Sequence, residues 1–83
     1  MSAIEVRVRY FAGAKAAAGT AEETASAGDL AELKAVLAER HGYELERVLK
    51  ASTLLVNGLS CRDEAAPLTE GAVVEVLPPF AGG

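Results

Sequence analysis

An alternation of apolar and polar residues from Ile4 to Phe11 constrains the fold more than any other feature of the sequence. This period of two is typical of a half-buried β-strand, in which one row of side chains faces a core and the other faces solvent. The inward row is predicted to be Ile4, Val6, Val8 and Tyr10. The outward row is predicted to be Glu5, Arg7, Arg9 and Phe11, which places one aromatic ring on a charged face. We therefore expect a sheet that is covered on one face only.

One segment has helical periodicity instead. Its apolar residues recur three and four positions apart, at Leu30, Leu33, Val36 and Leu37. Asp29 is the predicted N-cap, Glu32 stands at the third helical position of a capping box, and Gly42 occupies the place of a C-terminal glycine. The sequence therefore predicts a helix over residues 30–41, and we expect His41 at its end to be a surface residue that complements the helix dipole.

The rest of the chain is predicted to contain short strands and turns. The elements, in chain order, are a loop with at most one helical turn over 12–19, a polar edge strand over 20–26, a short helix over 44–50, strands over 53–56 and 59–62, and a last strand over 72–77. Asn57-Gly58 is a tight-turn signal because both residues tolerate positive φ. The first and last strands are the most apolar and should be central neighbours. These elements predict an α+β roll with one helix on one face of the sheet.

Composition excludes several classes of function. At 83 residues and 51% hydrophobic content the chain can form one domain, which we place at residues 1–77, followed by a tail at 78–83. The single cysteine, Cys61, excludes an internal disulfide and a thiol-rich metal site, so we predict no metal. The net charge of −4 argues against nucleic-acid binding. No secretory signal and no apolar stretch near the ~20 residues of a membrane span are visible, so we expect a cytoplasmic protein without membrane contact.

The end of the sequence is chemically distinctive. Pro78 and Pro79 end the last strand, because proline cannot donate a ladder hydrogen bond, and they stiffen the start of the tail. The chain then reads Phe80-Ala81-Gly82-Gly83. Two glycines without Cβ atoms could enter a narrow channel and present an unhindered carboxylate. An enzyme could activate such a carboxylate as an acyl-adenylate, which a sulfur nucleophile then attacks.

These features together resemble a known family. The order of strands and helix, the Asn57-Gly58 turn, the segment Tyr10-Phe11-Ala12, the turn over 67–71 and the ending Leu77-Pro78-Pro79-Phe80-Ala81-Gly82-Gly83 are similar to the small subunit of molybdopterin synthase (MoaD), a ubiquitin-like β-grasp sulfur carrier. The resemblance covers essentially the whole chain. It implies a β-grasp mixed sheet with one main helix packed on one face and a flexible C-terminal tail.

The resemblance also implies a function. Gly83 would be adenylated by a ubiquitin-activating-like adenylyltransferase that uses ATP, and a sulfur donor such as a cysteine desulfurase or rhodanese would convert it to a thiocarboxylate. The tail would then enter the large subunit of molybdopterin synthase and give its sulfur to cyclic pyranopterin monophosphate, usually within a heterotetramer. The chain would be the non-catalytic carrier subunit of a sulfurtransferase, with no bound cofactor of its own.

Residues that would contact the large subunit follow from the same resemblance. They are Phe11, Leu59, Leu77, Pro78, Pro79, Phe80, Ala81 and Gly82. For Phe11 and Leu77 the alternation of the strands also predicts an exposed position on the open face of the sheet, because each shares the outward row with charged residues. The alignment at Leu59 is looser, since a tight turn can slip by one residue.

Other functions share these features. Carriers that supply sulfur for cysteine, for the thiazole of thiamine or for a tungsten cofactor would have the same fold, tail and activation. A protein modifier would instead attach Gly83 to a lysine, and would produce conjugate ladders in host extracts. In a pure interaction module, deletion of Gly83 would leave binding and phenotype intact.

Overall fold

The structure, a computed structural model, describes residues 4–79. This part of the chain forms five strands and three helices. They are β1 (Glu5–Tyr10), α1 (Gly13–Ala18), β2 (Glu22–Ser26), α2 (Leu30–His41), α3 (Tyr43–Ala51), β3 (Thr53–Val56), β4 (Leu59–Ser60) and β5 (Val73–Leu77).

The strands form one mixed sheet in the order β2-β1-β5-β3-β4. The first and last strands pair in parallel at its centre, with Val8 opposite Val74 and Tyr10 opposite Val76, and the other pairings are antiparallel. The prediction that the first and last strands are neighbours at the centre of the sheet is thus confirmed. The reason is that a central strand buries more apolar area than an edge strand, and these two strands are the most apolar. The predicted polar strand, β2, lies at an edge.

The core lies between one face of the sheet and the helices. Its largest fully buried side chains are Val6, Val8, Leu30, Leu33, Leu37, Leu45, Val74 and Val76. In β1 burial alternates residue by residue, so Arg7 and Arg9 are exposed on the opposite face. The inward and outward rows predicted for this strand are confirmed, and the helices cover only the inward one.

Helix α2 has the predicted bounds and the predicted N-cap. The Asp29 Oδ1 atom accepts a hydrogen bond from the Glu32 backbone N–H at 2.8 Å. The Glu32 carboxylate does not bond the N-cap residue itself, as a capping box requires, but accepts from the N–H of Gly28 at 2.7 Å. Glu32 therefore anchors the residue before the cap, and the connection from β2 is held at the start of the helix.

Two predicted segments differ from the structure. Residues 13–18 form the six-residue helix α1 where a loop with at most one helical turn was predicted, and Ala14 in it is fully buried as α1 packs against α3. An alanine run has no apolar periodicity to read, but its small side chains allow close packing between helices. The return strand predicted over 59–62 ends at Ser60, although the Cys61 N–H still donates to the Leu54 carbonyl at 2.9 Å.

Glu23 joins the edge strand β2 to the sheet and to the end of α2. Its Oε2 atom accepts a hydrogen bond from the Tyr10 hydroxyl at 2.5 Å and lies 2.5 Å from His41 Nε2. Its Oε1 atom accepts from the Arg40 guanidinium at 3.0 Å. His41, predicted to be a surface residue, is half-buried, with 14% of its side chain exposed.

The network shifts the acidity of two of its members. Burial alone would raise the pKa of Glu23, but the hydrogen bonds that its carboxylate receives lower it below the ordinary value. Burial raises the pKa of the Tyr10 hydroxyl, and the hydrogen bond to Glu23 raises it further. Tyr10 therefore stays a neutral donor to a carboxylate that stays charged.

We expect this network to make stability depend on acid pH. The folded state lowers the pKa of Glu23, so its stabilisation is complete above the ordinary value of 4.5 and is lost as the pH falls through the folded-state value. Glu23→Gln should lower the free energy of unfolding by about 2 kcal/mol near neutral pH, because a hydrogen-bonded charge is lost. It should also flatten the loss of stability on acidification. Urea unfolding from about pH 7 to about pH 3 measures both effects.

The matched control is the neighbouring residue. Glu22→Gln removes the same charge from the same strand, but Glu22 forms only an exposed ion pair with Arg7. Its effect should stay below about 1 kcal/mol. Equal losses in the two variants would contradict a specific role for the Glu23 network.

None of the three helices within residues 4–79 combines the length and the apolar character that crossing a bilayer would require.

Candidate functional site

The parallel pairing of β1 and β5 brings the start of α1 and the approach to the C-terminal tail to the same edge of the sheet. Tyr10 lies opposite Val76, and the Phe11 N–H donates to the Val76 carbonyl at 3.3 Å. The next residue on each strand is therefore Phe11 on one side and Leu77 on the other. The chain leaves the sheet at this point through Pro78 and Pro79.

A groove of about 600 Å³ opens at this edge. Its wall and floor are formed by Phe11, Ala12, Gly13, Glu44, Arg47, Val48, Ala51, Leu77, Pro78 and Pro79. Phe11 is 36% exposed, and Leu77 is half-buried. The groove thus collects four of the side chains predicted to contact a partner, two at the ends of the central strands and two prolines at the exit of the tail.

Charged side chains surround the apolar part of the groove lining. The Arg9 guanidinium lies over the Phe11 ring at 5.8 Å from its centroid and pairs with Glu75 at 3.7 Å. On helix α3, Arg47 pairs with Glu44 at 3.7 Å in an exposed ion pair. Exposed pairs of this kind contribute little to stability. An apolar centre inside a polar rim is the usual composition of a protein–protein interface.

Leu59 is placed away from the groove. It lies in β4, three strand spacings from β1, or about 14 Å. Its ladder partner is Val56, which pairs in turn with the core residue Val74. Leu59 therefore lies on the inward side of the sheet at its far edge, where it is 75% exposed. The structure does not bring it together with Phe11 and Leu77.

The other predicted site residues are Phe80, Ala81, Gly82 and Gly83. All four lie outside the described residues. Within residues 4–79, no cluster of three His, Cys, Asp or Glu side chains could hold a metal ion.

Ala12 is a site residue that sequence reasoning missed. It lines the groove with φ 51° and ψ −125°, a conformation that glycine favours and alanine rarely adopts. This conformation turns the chain from β1 into α1, so that the Phe11 carbonyl accepts from the Ala14 N–H at 3.0 Å. No residue type in the sequence signals it, because alanine is not a turn former.

We expect Ala12→Gly to stabilise the protein. Strained backbone of this kind costs about 1–3 kcal/mol, and the greater entropy of glycine in the unfolded chain offsets part of the gain. The net effect should be about 1 kcal/mol more free energy of unfolding, measured with urea. Ala16→Gly, at an exposed position inside α1, is the matched control and should destabilise by about 0.5–1 kcal/mol. A loss of stability in both variants would show that Ala12 is unstrained.

Solved structures with the same fold extend over nearly the whole chain. A complex of subunits 1 and 2 of molybdopterin-converting factor from Helicobacter pylori 26695 contains a chain that is 31% identical, with a TM-score of 0.75 over 96% of this chain and 100% of that one. A molybdopterin converting factor subunit 1 from Pyrococcus furiosus is 25% identical, with a TM-score of 0.78 over 93% and 99%.

A third structure is similar in fold alone. Small archaeal modifier protein 1 from Methanosarcina acetivorans is 24% identical, with a TM-score of 0.87 over 100% of both chains. These similarities confirm the ubiquitin-like β-grasp fold. No curated protein sequence matches significantly.

The family model provides the sequence evidence. The ThiS family matches residues 8–83, which include the second half of β1, the whole groove and the Gly-Gly ending. The chain therefore belongs to the ThiS family of ubiquitin-like β-grasp sulfur carriers.

Proposed function

We propose that this chain is the sulfur-carrying small subunit of a molybdopterin synthase. The observation that carries the proposal is the 31% identity, over 96% of the chain, to a protein solved as a complex of subunits 1 and 2 of molybdopterin-converting factor. The Gly-Gly ending, and a groove at the point where the chain leaves the sheet toward it, support the same role.

The proposed chemistry takes place at Gly83. A carboxylate is a poor electrophile because its charge repels nucleophiles. An activating enzyme would join it to the adenylyl group of ATP with release of pyrophosphate. The persulfide of the sulfur donor would then displace AMP to give an acyl disulfide, and a thiol would reduce its S–S bond, which leaves the thiocarboxylate and a disulfide between the donor and the thiol. The thiocarboxylate would give its sulfur to cyclic pyranopterin monophosphate, and two such transfers would complete the dithiolene of molybdopterin.

The described residues would position this tail. In the proposal, the large subunit covers the groove, and Phe11 and Leu77 form the apolar centre of the interface. Pro78 and Pro79 restrict the directions in which the chain can leave the sheet. Phe80, Ala81 and Gly82 then lie in the active site of the large subunit. Glycine at position 82 matters there because a side chain would widen the tail.

The remaining partners are part of the same proposal. They are a ubiquitin-activating-like adenylyltransferase, a sulfur donor such as a cysteine desulfurase or rhodanese, and a second copy of each subunit in a heterotetramer. We place the assembly in the cytoplasm.

A protein modifier is the second candidate. The fold of small archaeal modifier protein 1 matches this chain from end to end. In that role Gly83 would end in an isopeptide bond to a lysine. Carriers for cysteine, thiamine thiazole or a tungsten cofactor are further alternatives that differ only in the acceptor of the sulfur.

The mass of the protein from its own host tests the proposal. Cells are lysed in iodoacetamide, which alkylates a thiocarboxylate before it can hydrolyse, and the C-terminal peptide is fragmented. We expect an alkylated oxygen-to-sulfur exchange at Gly83. A Gly83 that is recovered only as a conjugate to lysine would contradict the carrier proposal in favour of a modifier. If the exchange is found at Gly83, incubation of the thiocarboxylate form with the large subunit and the pyranopterin tests whether the pyranopterin is the acceptor of the sulfur.

A further inference from the structure

The β2 edge of the sheet is long enough to accept another strand. The order of the strands places β2 at one edge and β4 at the other, and β4 has two residues whereas β2 has five. An edge strand presents backbone N–H and C=O groups that can pair with a strand of another molecule. Whether these groups are free on β2 therefore decides whether the chain can associate through its sheet.

The hydrogen bonds to β1 identify which backbone groups of β2 point outward. Just before β2, the Ala21 carbonyl accepts from the Tyr10 N–H at 2.8 Å. Just after it, the Ala27 N–H donates to the Ile4 carbonyl at 2.9 Å. The odd-numbered residues of this segment thus bond β1, and in an antiparallel ladder the alternate residues direct their backbone groups the other way. The residues of β2 whose backbone groups point outward are Glu22, Thr24 and Ser26.

Side chains of the same chain occupy two of the outward carbonyls. Arg40, near the end of α2, donates from Nη1 to the Thr24 carbonyl at 2.9 Å. The Thr20 hydroxyl donates to the Glu22 carbonyl at 3.0 Å. The Arg40 Nη1 atom also donates to the Glu23 carboxylate at 3.0 Å, and only 17% of the Glu23 side chain is exposed. This half-buried carboxylate holds the guanidinium against the middle of the strand.

A second copy of β2 has a sequence that fits this edge. When two β2 strands pair antiparallel about a two-fold axis at Thr24, Thr24 faces its own counterpart and Glu22 faces Ser26 of the second copy. All of the backbone bonds then come from outward-facing residues. Facing threonines are a favourable cross-strand pair, and no carboxylate faces another. This register needs the Thr24 and Glu22 carbonyls as acceptors, which are the two that Arg40 and Thr20 already occupy.

We propose that Arg40, together with Thr20, keeps the β2 edge closed to a second copy of this chain, so that the free protein stays monomeric. An incoming strand must first displace the guanidinium from the Thr24 carbonyl, and a hydrogen bond from a charged donor is stronger than the neutral bond that replaces it. None of the described residues that line the groove belongs to β2. The inference therefore goes beyond sulfur transfer and concerns a different surface from the proposed interface.

Sedimentation velocity of the isolated protein over a range of concentrations tests this proposal. We expect the wild type to sediment as a monomer and Arg40→Met to dimerise. The dimer dissociation constant should fall by at least about tenfold relative to the limit that the wild type sets, because each copy loses one charge-assisted hydrogen bond to the carbonyl. Arg40→Lys keeps a charged donor and should remain monomeric. A wild type that already dimerises through β2 would overturn the proposal.

A second variant keeps the test valid if Arg40→Met does not fold, as circular dichroism would show. Thr20→Val removes the other occupying group without changing the contacts of Glu23, and it should also strengthen self-association. Arg62→Met is the matched control, because it removes the same charge from an exposed position in the loop after β4, which is the other edge of the sheet. Folded Arg40→Met and Thr20→Val that both remain monomeric would overturn the proposal, as would equal dimerisation of Arg62→Met.

A proline in β2 identifies the surface through which the copies meet. The Thr24 N–H points outward, so Thr24→Pro removes a donor at the centre of the proposed pairing while the bonds between β1 and β2 remain. Added to Arg40→Met, it should restore the monomer. Dimerisation that persists in this double variant would overturn the proposal, because the copies would then meet through another surface. All of these measurements use the isolated chain, so their outcome is independent of whether Gly83 carries sulfur.

Discussion

Deletion of Gly83 is expected to abolish sulfur transfer while the domain stays folded and still binds the large subunit. The deletion retracts the terminal carboxylate by one residue, or about 3.5 Å. A misplacement of only about 1 Å can cost a reaction about 100-fold, so transfer should fall below detection. The melting temperature should not change, because the buried core is formed by residues between Val6 and Val76. Single-turnover formation of molybdopterin measures sulfur transfer. Scanning calorimetry measures the melting temperature, and titration calorimetry measures binding of the large subunit.

A chain with one added glycine is the matched control for this deletion. It keeps every native residue but moves the carboxylate by a similar distance in the other direction, so it should be equally inactive. Full transfer by the chain without Gly83 would rule out a carrier whose sulfur is bound at that residue. Loss of conjugate ladders in host extracts, together with unchanged molybdopterin synthesis, would instead favour the protein modifier.

Phe11→Arg is expected to weaken binding of the large subunit by about 2–4 kcal/mol, or roughly 30- to 1000-fold in Kd. Phe11 lines the groove, and a guanidinium there would have to lose its hydration when the partner covers the groove. The new cation would also stand beside Arg9, which now lies over the Phe11 ring. The fold should survive, because Phe11 belongs to the outward row of side chains and not to the core. Isothermal titration with the large subunit and a thermal melt measure the two effects.

Ala35→Arg is the matched control, which tests whether the loss of affinity in Phe11→Arg depends on where the positive charge is placed. Ala35 is exposed on α2 and does not line the groove, so the same net charge is added at another place. Its affinity for the large subunit should stay close to that of wild type. Wild-type affinity in Phe11→Arg would refute the groove as the interface, and an equal loss in both variants would point to long-range repulsion.

Local patterns were sufficient for the elements that carry the core. The alternation in β1 predicted its buried row, because a strand places successive side chains on opposite faces. The spacing of leucines, with Asp29 before them and Gly42 after them, predicted α2 to the residue. Asn57-Gly58 predicted the turn between β3 and β4, and both residues have positive φ. Each of these features depends on neighbours in sequence.

Features of the site that depend on distant contacts were not predictable in this way. Helix α1 forms because alanines can pack closely on α3, and His41 is covered because Glu23 lies on the strand beside it. The side of the sheet on which Leu59 lies depends on strand register, which a shift of one residue would reverse. By itself, the sequence determined which residues alternate, which cap a helix and how the chain ends. The tertiary structure decided that the ends of β1 and β5 meet α3 in one groove, because only the pairing of strands more than sixty residues apart brings those surfaces together.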